Sequence, residues 1–231
     1  MRIRVVILSI LTTVVVVLGA FIAILLPPVR EANSYDLDAL PTDRLQDSDL
    51  AMVTTTALPP LAKEAILLAK DENYYSVYNN VFECIAKTMA NGKVSTIAVY
   101  SATVLLSINK IDHFAYIVES EVLVCRMQMQ DVHIKDKILD YYVKSEEFGR
   151  LIFGIYKASL FYFGKNIEEL DIAQTAYLAG LAGSSRPPIG DRRDPDWARR
   201  KRDGIIDRLV AHGKITAAQA EAAKNERTPS K

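Results

Sequence analysis

The sequence predicts a mainly α-helical domain carried on one N-terminal transmembrane helix. Three features predict it. From Pro59 onward apolar residues recur at spacings of three and four, and strand signals are weak. The stretch Val5 to Leu26 (VVILSILTTVVVVLGAFIAILL) carries no charge over a length that crosses a bilayer as a helix.

That apolar stretch comes first in the chain. Arg2 and Arg4 precede it, which keeps the N-terminus cytoplasmic and sends the remainder across. A cleaved signal peptide would have a shorter apolar core and a small-residue cleavage site, where Pro27 and Pro28 stand instead. Residues 1–28 are therefore expected to be a cytoplasmic tip and anchor, Val5 to Leu26 having the lipid bilayer as partner. Residues 29–57 are polar, broken by Pro41 and mostly without period, as in a juxtamembrane linker. Residues 58–225 form the folded domain, and 226–231 a tail.

Within the domain, Leu58 to Tyr75 (LPPLAKEAILLAKDENYY) opens a helix through a proline pair, since proline is tolerated in a first turn. Val94 to Asn109 is uncharged but short for a second span; it reads as a buried core helix, with a surface dipping into the bilayer interface as the alternative. Ile134 to Val143 (IKDKILDYYV) has the helical period. Asp171 opens the helix ending at Leu181, and Gln174 three residues on gives the capping-box spacing. Thr216 and Gln219 repeat that spacing before a last, alanine-rich helix. Glycines and prolines punctuate the chain at Asn91-Gly92, Phe148-Gly149, Phe163-Gly164, 180–190 and His212-Gly213. Gly149, Gly154 and Gly164 read as backbone hinges and close-packing points. Phe148, Phe153 and Phe163 read as core, Trp197 as a packing anchor, and Arg192 to Arg202 as a solvated basic face.

Composition removes several functions. With 28 basic and 28 acidic residues the formal charge is zero, which gives no electrostatic case for nucleic acid. His113, His133 and His212 lack metal-ligand spacing, so no cofactor is expected. Cys84 and Cys125 are too few for a disulfide-stapled scaffold. Each reads as a small buried apolar residue, and pairing outside the membrane stays open.

The C-terminal half is more specific. Phe148-Gly149-Arg150, Gly154-Ile155, Ala158, Tyr162-Phe163-Gly164-Lys165, Leu170 and Ala173 to Leu181 keep one register. Arg186-Pro187-Pro188, Asp194-Pro195, Ala198-Arg199-Arg200 and His212 to Thr216 follow in order. This series resembles the family-51 peptidoglycan glycosyltransferases, the transglycosylase domain of penicillin-binding proteins and of monofunctional transglycosylases. Leu58-Pro59-Pro60, Ala65-Ile66, Asp71 and Tyr74-Tyr75 fall on the first motif of that family, so the resemblance covers about residues 58 to 225. It implies a lysozyme-like helical domain with a membrane-dipping jaw, on the outer face of the bacterial cytoplasmic membrane. It also implies polymerisation of lipid II into glycan strands.

The departures from that pattern fall on chemistry. Glycosyl transfer needs a base for the attacking hydroxyl, and the resemblance places a glutamate immediately before Asp71. This chain has Lys70 there, which stays protonated unless burial depresses its pKa. Glu72 lies about 200° around a helix from Lys70 and would face away. In the second motif Ser95-Thr96-Ile97 remain, but a glycine pair is lost and two glutamines are Val99 and Tyr100. The third motif should hold two cations and a glutamate; Phe114 to Glu121 (FAYIVESE) holds no cation, and Glu119 or Glu121 stands near the glutamate position. The family's Asn-Arg before Phe-Gly is Lys144-Ser145.

The sequence-level expectation is a noncatalytic, membrane-anchored relative that acts by binding a cell-envelope protein, or lipid II or glycan. The remnant groove would use Lys70, Ser95, Thr96, Tyr100, Lys144 and Arg150. The alternative is an active transglycosylase with Asp71, Glu72, Glu119 or Glu121 as rearranged carboxylates, the only case in which a divalent cation would enter.

Overall fold

A computed structural model describes residues 58–76, 78, 83–84, 86–87, 95–108 (side chains to 103), 123–184 and 196–227. The expected anchor over 1–28, the linker over 29–57 and the end of the tail lie outside the described residues. Among the described residues no helix is long and apolar enough to cross a membrane.

The described chain is helical, as the period of its apolar residues requires. Helix α1 (Pro60–Lys70) begins with proline in its first turn and buries Ala62, Ala65, Ile66, Leu67 and Leu68. It stops where Asp71 leaves helical geometry, and a turn follows in which the Tyr74 amide donates to the Asp71 carbonyl at 3.1 Å. Helix α2 (Thr96–Ile108) starts from Ser95, whose hydroxyl accepts from the Ala98 amide at 3.2 Å. Ile97, Ala98, Ser101 and Ala102 are buried, whereas Val99 and Thr103 are exposed, so α2 buries one face, against α3.

Helix α3 (Val132–Ser145) is capped by Asp131 and buries Ile138, Leu139, Tyr141, Tyr142 and Val143. Helix α4 (Ile155–Phe163) runs from Gly154 to a left-handed cap at Gly164. A 3-10 turn (Ile167–Glu169) leads into α5 (Ile172–Leu181), where Asp171 and Gln174 form the expected capping box. Helix α6 (Trp197–Ala211) follows, and then α7 (Ala217–Asn225), which carries the second expected box at Thr216 and Gln219.

Helix α5 is the hub: it packs on α1, α4, α6 and α7. Ala173, Thr175, Ala176, Tyr177, Leu178, Ala179 and Leu181 are all buried, as an element that is apolar all round must be. Trp197 is buried at the start of α6 as a packing anchor. The basic face of α6 is mixed: Arg199, Arg200 and Lys201 are exposed, but Arg202 is 1% exposed and donates to the Lys224 and Glu226 carbonyls at 2.9 and 2.8 Å. Arg202 thus closes the C-terminal end of α7.

One expectation changes and one open question is answered. Phe153 is not core but 51% exposed, because residues 147–153 curl into a tight loop held by the Phe148 amide on the Ile152 carbonyl at 2.7 Å. Gly154 closes that loop at φ 88°, where a side-chain carbon would lie 2.8 Å from the Lys144 carbonyl oxygen; no other residue fits there. Cys84 and Cys125, whose pairing the sequence left open, are joined in a disulfide with Cα atoms 5.8 Å apart. Both are buried, so the apolar character inferred for each is retained.

Candidate functional site

The C-terminal ends of three helices meet at one place. Helix α1 ends in Lys70, α3 is closed by Glu146, and α5 is followed by Ala182 and Gly183. The last two are tied together by backbone: the Gly183 amide donates to the Glu147 carbonyl at 2.7 Å, and Phe148 bridges Ser184 in parallel. Gly183 is exposed, with φ 67°; a carbon built at its Cβ position would lie 3.1 Å from Lys70 Nζ and 3.6 Å from Glu146 Cδ and Oε2. The ammonium and the carboxylate therefore face the same point.

Helix C-termini carry partial negative charge, which suits the Lys70 cation and opposes the Glu146 anion. Burial lowers the Lys70 pKa, Glu146 works against that, and Lys201 adds to it. Burial raises the Glu146 pKa, while the Glu147 amide, Lys70 and the Tyr142 phenol hold the carboxyl down. Glu146 Oε1 accepts from the Glu147 amide at 2.8 Å, which orients the side chain. Glu147 in turn accepts from the Leu151 amide at 2.9 Å and so braces the loop.

Asp71 lies at the next position but in a different environment. Its carboxyl is pushed up by burial, against hydrogen bonds from Ser95 and the Asn73 backbone and the charge of Lys135. One of its oxygens, Oδ2, is buried without a hydrogen-bond partner. Lys135 is itself 3% exposed and donates to the Ser76 carbonyl at 2.9 Å.

Glu72 is elsewhere. The helix ends before it, so the helical-wheel argument does not apply, yet the side chain still turns away from Lys70. It meets Arg208 Nη2 on α6 and His212 Nε2 just past the end of that helix, each at 2.9 Å. Arg208 also donates to the Leu68 carbonyl near the end of α1.

The remaining candidates serve different contacts. Ser95 caps α2 and donates to Asp71; the Thr96 hydroxyl donates to the Lys70 carbonyl at 3.3 Å. Together they dock the start of α2 on the end of α1. Tyr100 donates to the Ser145 carbonyl at 3.1 Å and meets Tyr142 edge-to-face. Lys144 pairs with Asp140 one turn back at 2.6 Å. Arg150 is exposed at φ 56°. Glu119 and Glu121 lie outside the described residues. Among the described residues no group of His, Cys, Asp and Glu gathers as a metal site requires.

Lys70, Asp71, Ser95 and Thr96 are thus brought together, while Glu72 is drawn off to α6. Sequence reading missed Glu146 and Gly183. The missed signal was legible: Glu146-Glu147 places two acids at the end of α3, the wrong end for a helix dipole.

Comparison with known proteins matches the sequence to one family. Its profile, described as transglycosylase, matches residues 38–210. Penicillin-binding protein 1F of Bacillus subtilis (strain 168) is 24% identical over 179 residues, covering 74% of this chain and 25% of the relative. Penicillin-binding protein 1A of Rickettsia bellii (strain RML369-C) is 28% identical over 184 residues, 74% of this chain and 22% of the relative. The corresponding protein of Rickettsia typhi (strain ATCC VR-144 / Wilmington) is 30% identical over 172 residues, 69% and 21%. The chain spans about a quarter of the length of these curated relatives. With three quarters of the chain matched by the family profile, the chain belongs to the transglycosylase family.

Proposed function

We propose that this chain is a noncatalytic member of its family, anchored in the bacterial cytoplasmic membrane, which binds lipid II or glycan on the outer face without polymerising it. The observation that carries the reading is the presence of a lysine, Lys70, at the end of α1. It stands where the resemblance requires a base, and its ammonium faces Glu146. The carboxylate that the resemblance requires is absent at that position, and the nearest sequence substitute, Glu72, is engaged by Arg208 and His212. Asp71 is buried beside Ser95 and Lys135. A cell-envelope protein docking on the same domain is the other binding outcome.

One observation favours a second reading, in which the chain is an active transglycosylase with a relocated base. Glu146 is a carboxylate only 9% exposed, with a raised pKa, beside the family's base position. A carboxylate whose pKa burial raises is a stronger base than an exposed one. The deciding experiment is polymerisation of labelled lipid II by full-length protein in detergent, with a binding titration in parallel. Binding without polymer supports the noncatalytic reading; polymer formation that is lost in Glu146→Gln replaces it with the second.

A further inference from the structure

We infer that Leu151, Phe153, Leu160 and Phe161 form a lipid-contact face that seats this side of the domain in the headgroup boundary of the bilayer. The inference rests on the anchored reading above. It adds a second contact, on residues other than Val5 to Leu26 and other than the Val94 to Asn109 stretch. The four side chains are 75%, 51%, 49% and 55% exposed. On α4, positions 157, 160 and 161 share one face and Phe153 stands just before it, whereas Ile155, Tyr156, Ala158, Ser159 and Tyr162 are buried. The loop that carries Leu151 is held against the last turn of α4, because the Tyr162 hydroxyl donates to the Phe148 carbonyl at 3.0 Å. Arg150 and Leu151 stand at φ 56° and 60°, a left-handed backbone that leucine rarely adopts. The fold thus holds its most exposed large apolar side chain outward at a strained position.

Lipid is the occupant that this chemistry fits. The four side chains offer no donor or acceptor, whereas a protein interface carries about one hydrogen bond per 100–200 Å². The loop amides are already satisfied. Phe148 donates to the Ile152 carbonyl, Leu151 to the Glu147 carboxylate, Ile152 to the Gly149 carbonyl and Gly154 to the Glu146 carbonyl. Those groups lose no hydrogen bond on leaving water. Charge agrees as well: Arg150 is exposed beside Leu151, and the one charged residue of α4 is Lys157. Cations bordering an apolar face suit anionic headgroups. The uncharged Val5 to Leu26 stretch ahead of the domain keeps the face close to the bilayer, so a small face is enough to seat it.

The test uses full-length protein carrying Phe161→Trp, reconstituted into vesicles of phosphatidylglycerol and phosphatidylethanolamine. Trp197 is buried, and the unsubstituted protein supplies its background signal. The new indole should be quenched by lipid bearing a nitroxide near the glycerol, more than by lipid bearing it at the chain terminus, since such faces sit about 5–10 Å into the boundary. Adding Leu151→Gly suits the left-handed backbone while removing the apolar side chain, so quenching should fall with no loss of melting temperature. Adding Leu160→Gln keeps a good helix former and should reduce quenching too. Quenching unchanged by both additions overturns the inference. So does an indole open to aqueous iodide and untouched by the nitroxides, in protein that alkaline carbonate leaves in the vesicles; the anchored reading then stands. A blue-shifted indole that no nitroxide quenches, with a shift that grows with protein density, assigns the face to a second copy and also overturns it. If carbonate strips the full-length protein from the vesicles, the anchored reading fails and the inference falls with it.

Discussion

Lys70 and Glu146 should be energetically coupled, and a double-mutant cycle of Lys70→Met and Glu146→Gln measures it. Because Nζ lies 3.1 Å and Oε2 3.6 Å from the same point, the charges are close. At no more than about 7 Å and an effective dielectric of about 20, the attraction is about 2 kcal/mol. Partial solvent screening reduces the expected coupling to about 1–2 kcal/mol. The assay is urea denaturation of the detergent-solubilised protein and its variants at pH 7. Lys70→Glu, which sets a second carboxylate beside Glu146, should be more destabilising than Lys70→Met, and Glu146→Gln should relieve the difference. The pH dependence adds a sign. Glu146 has a raised folded pKa, so the folded state holds its proton more tightly and stability falls as pH rises above 4.5. Lys70→Met removes a cation that holds the carboxyl down, so it should steepen that fall, and Glu146→Gln should abolish it. A coupling indistinguishable from zero, with the slope unchanged in both variants, would refute the reasoning.

Other perturbations have equally definite outcomes. Glu72→Gln loses ion pairs that are 37–45% exposed, so it should cost at most about 1 kcal/mol in denaturant midpoint and leave lipid II binding unchanged. Reduction of Cys84–Cys125, which are 41 residues apart, should destabilise the domain by about 4 kcal/mol on the chain-entropy estimate, read as a lower melting temperature in dithiothreitol. Arg202→Met leaves the Lys224 and Glu226 carbonyls without their donor and should cost about 3 kcal/mol by denaturation. Asp136 accepts from Lys63 at 2.7 Å and from Tyr75, joining α3 to α1. Burial pushes its carboxyl up, but these donors outweigh burial and hold it below 3.8. Its contribution is therefore present above pH 3.8 and lost as pH falls toward the folded value; Asp136→Asn should remove that acid-side loss.

The sequence by itself determined the helical class, the helix starts at Asp171 and Thr216, and the family. Those depend on local chemistry: a cap and its partner lie three residues apart, and a buried helix face repeats every three or four. It also led to the expectation that Lys70 stands where the resemblance places a base, since that needs only register. What the tertiary structure decided were the pairings between distant segments. The disulfide joins residues whose separation in space no local pattern encodes, and Phe153 is exposed because a loop closed by Gly154 turns it outward. Glu72 faces α6 because the helix stops at Lys70 and Arg208 and His212 wait across the interface. Glu146 and Gly183 reach Lys70 only because three helices end together, and electrostatic interaction depends on distance through space, not along the chain.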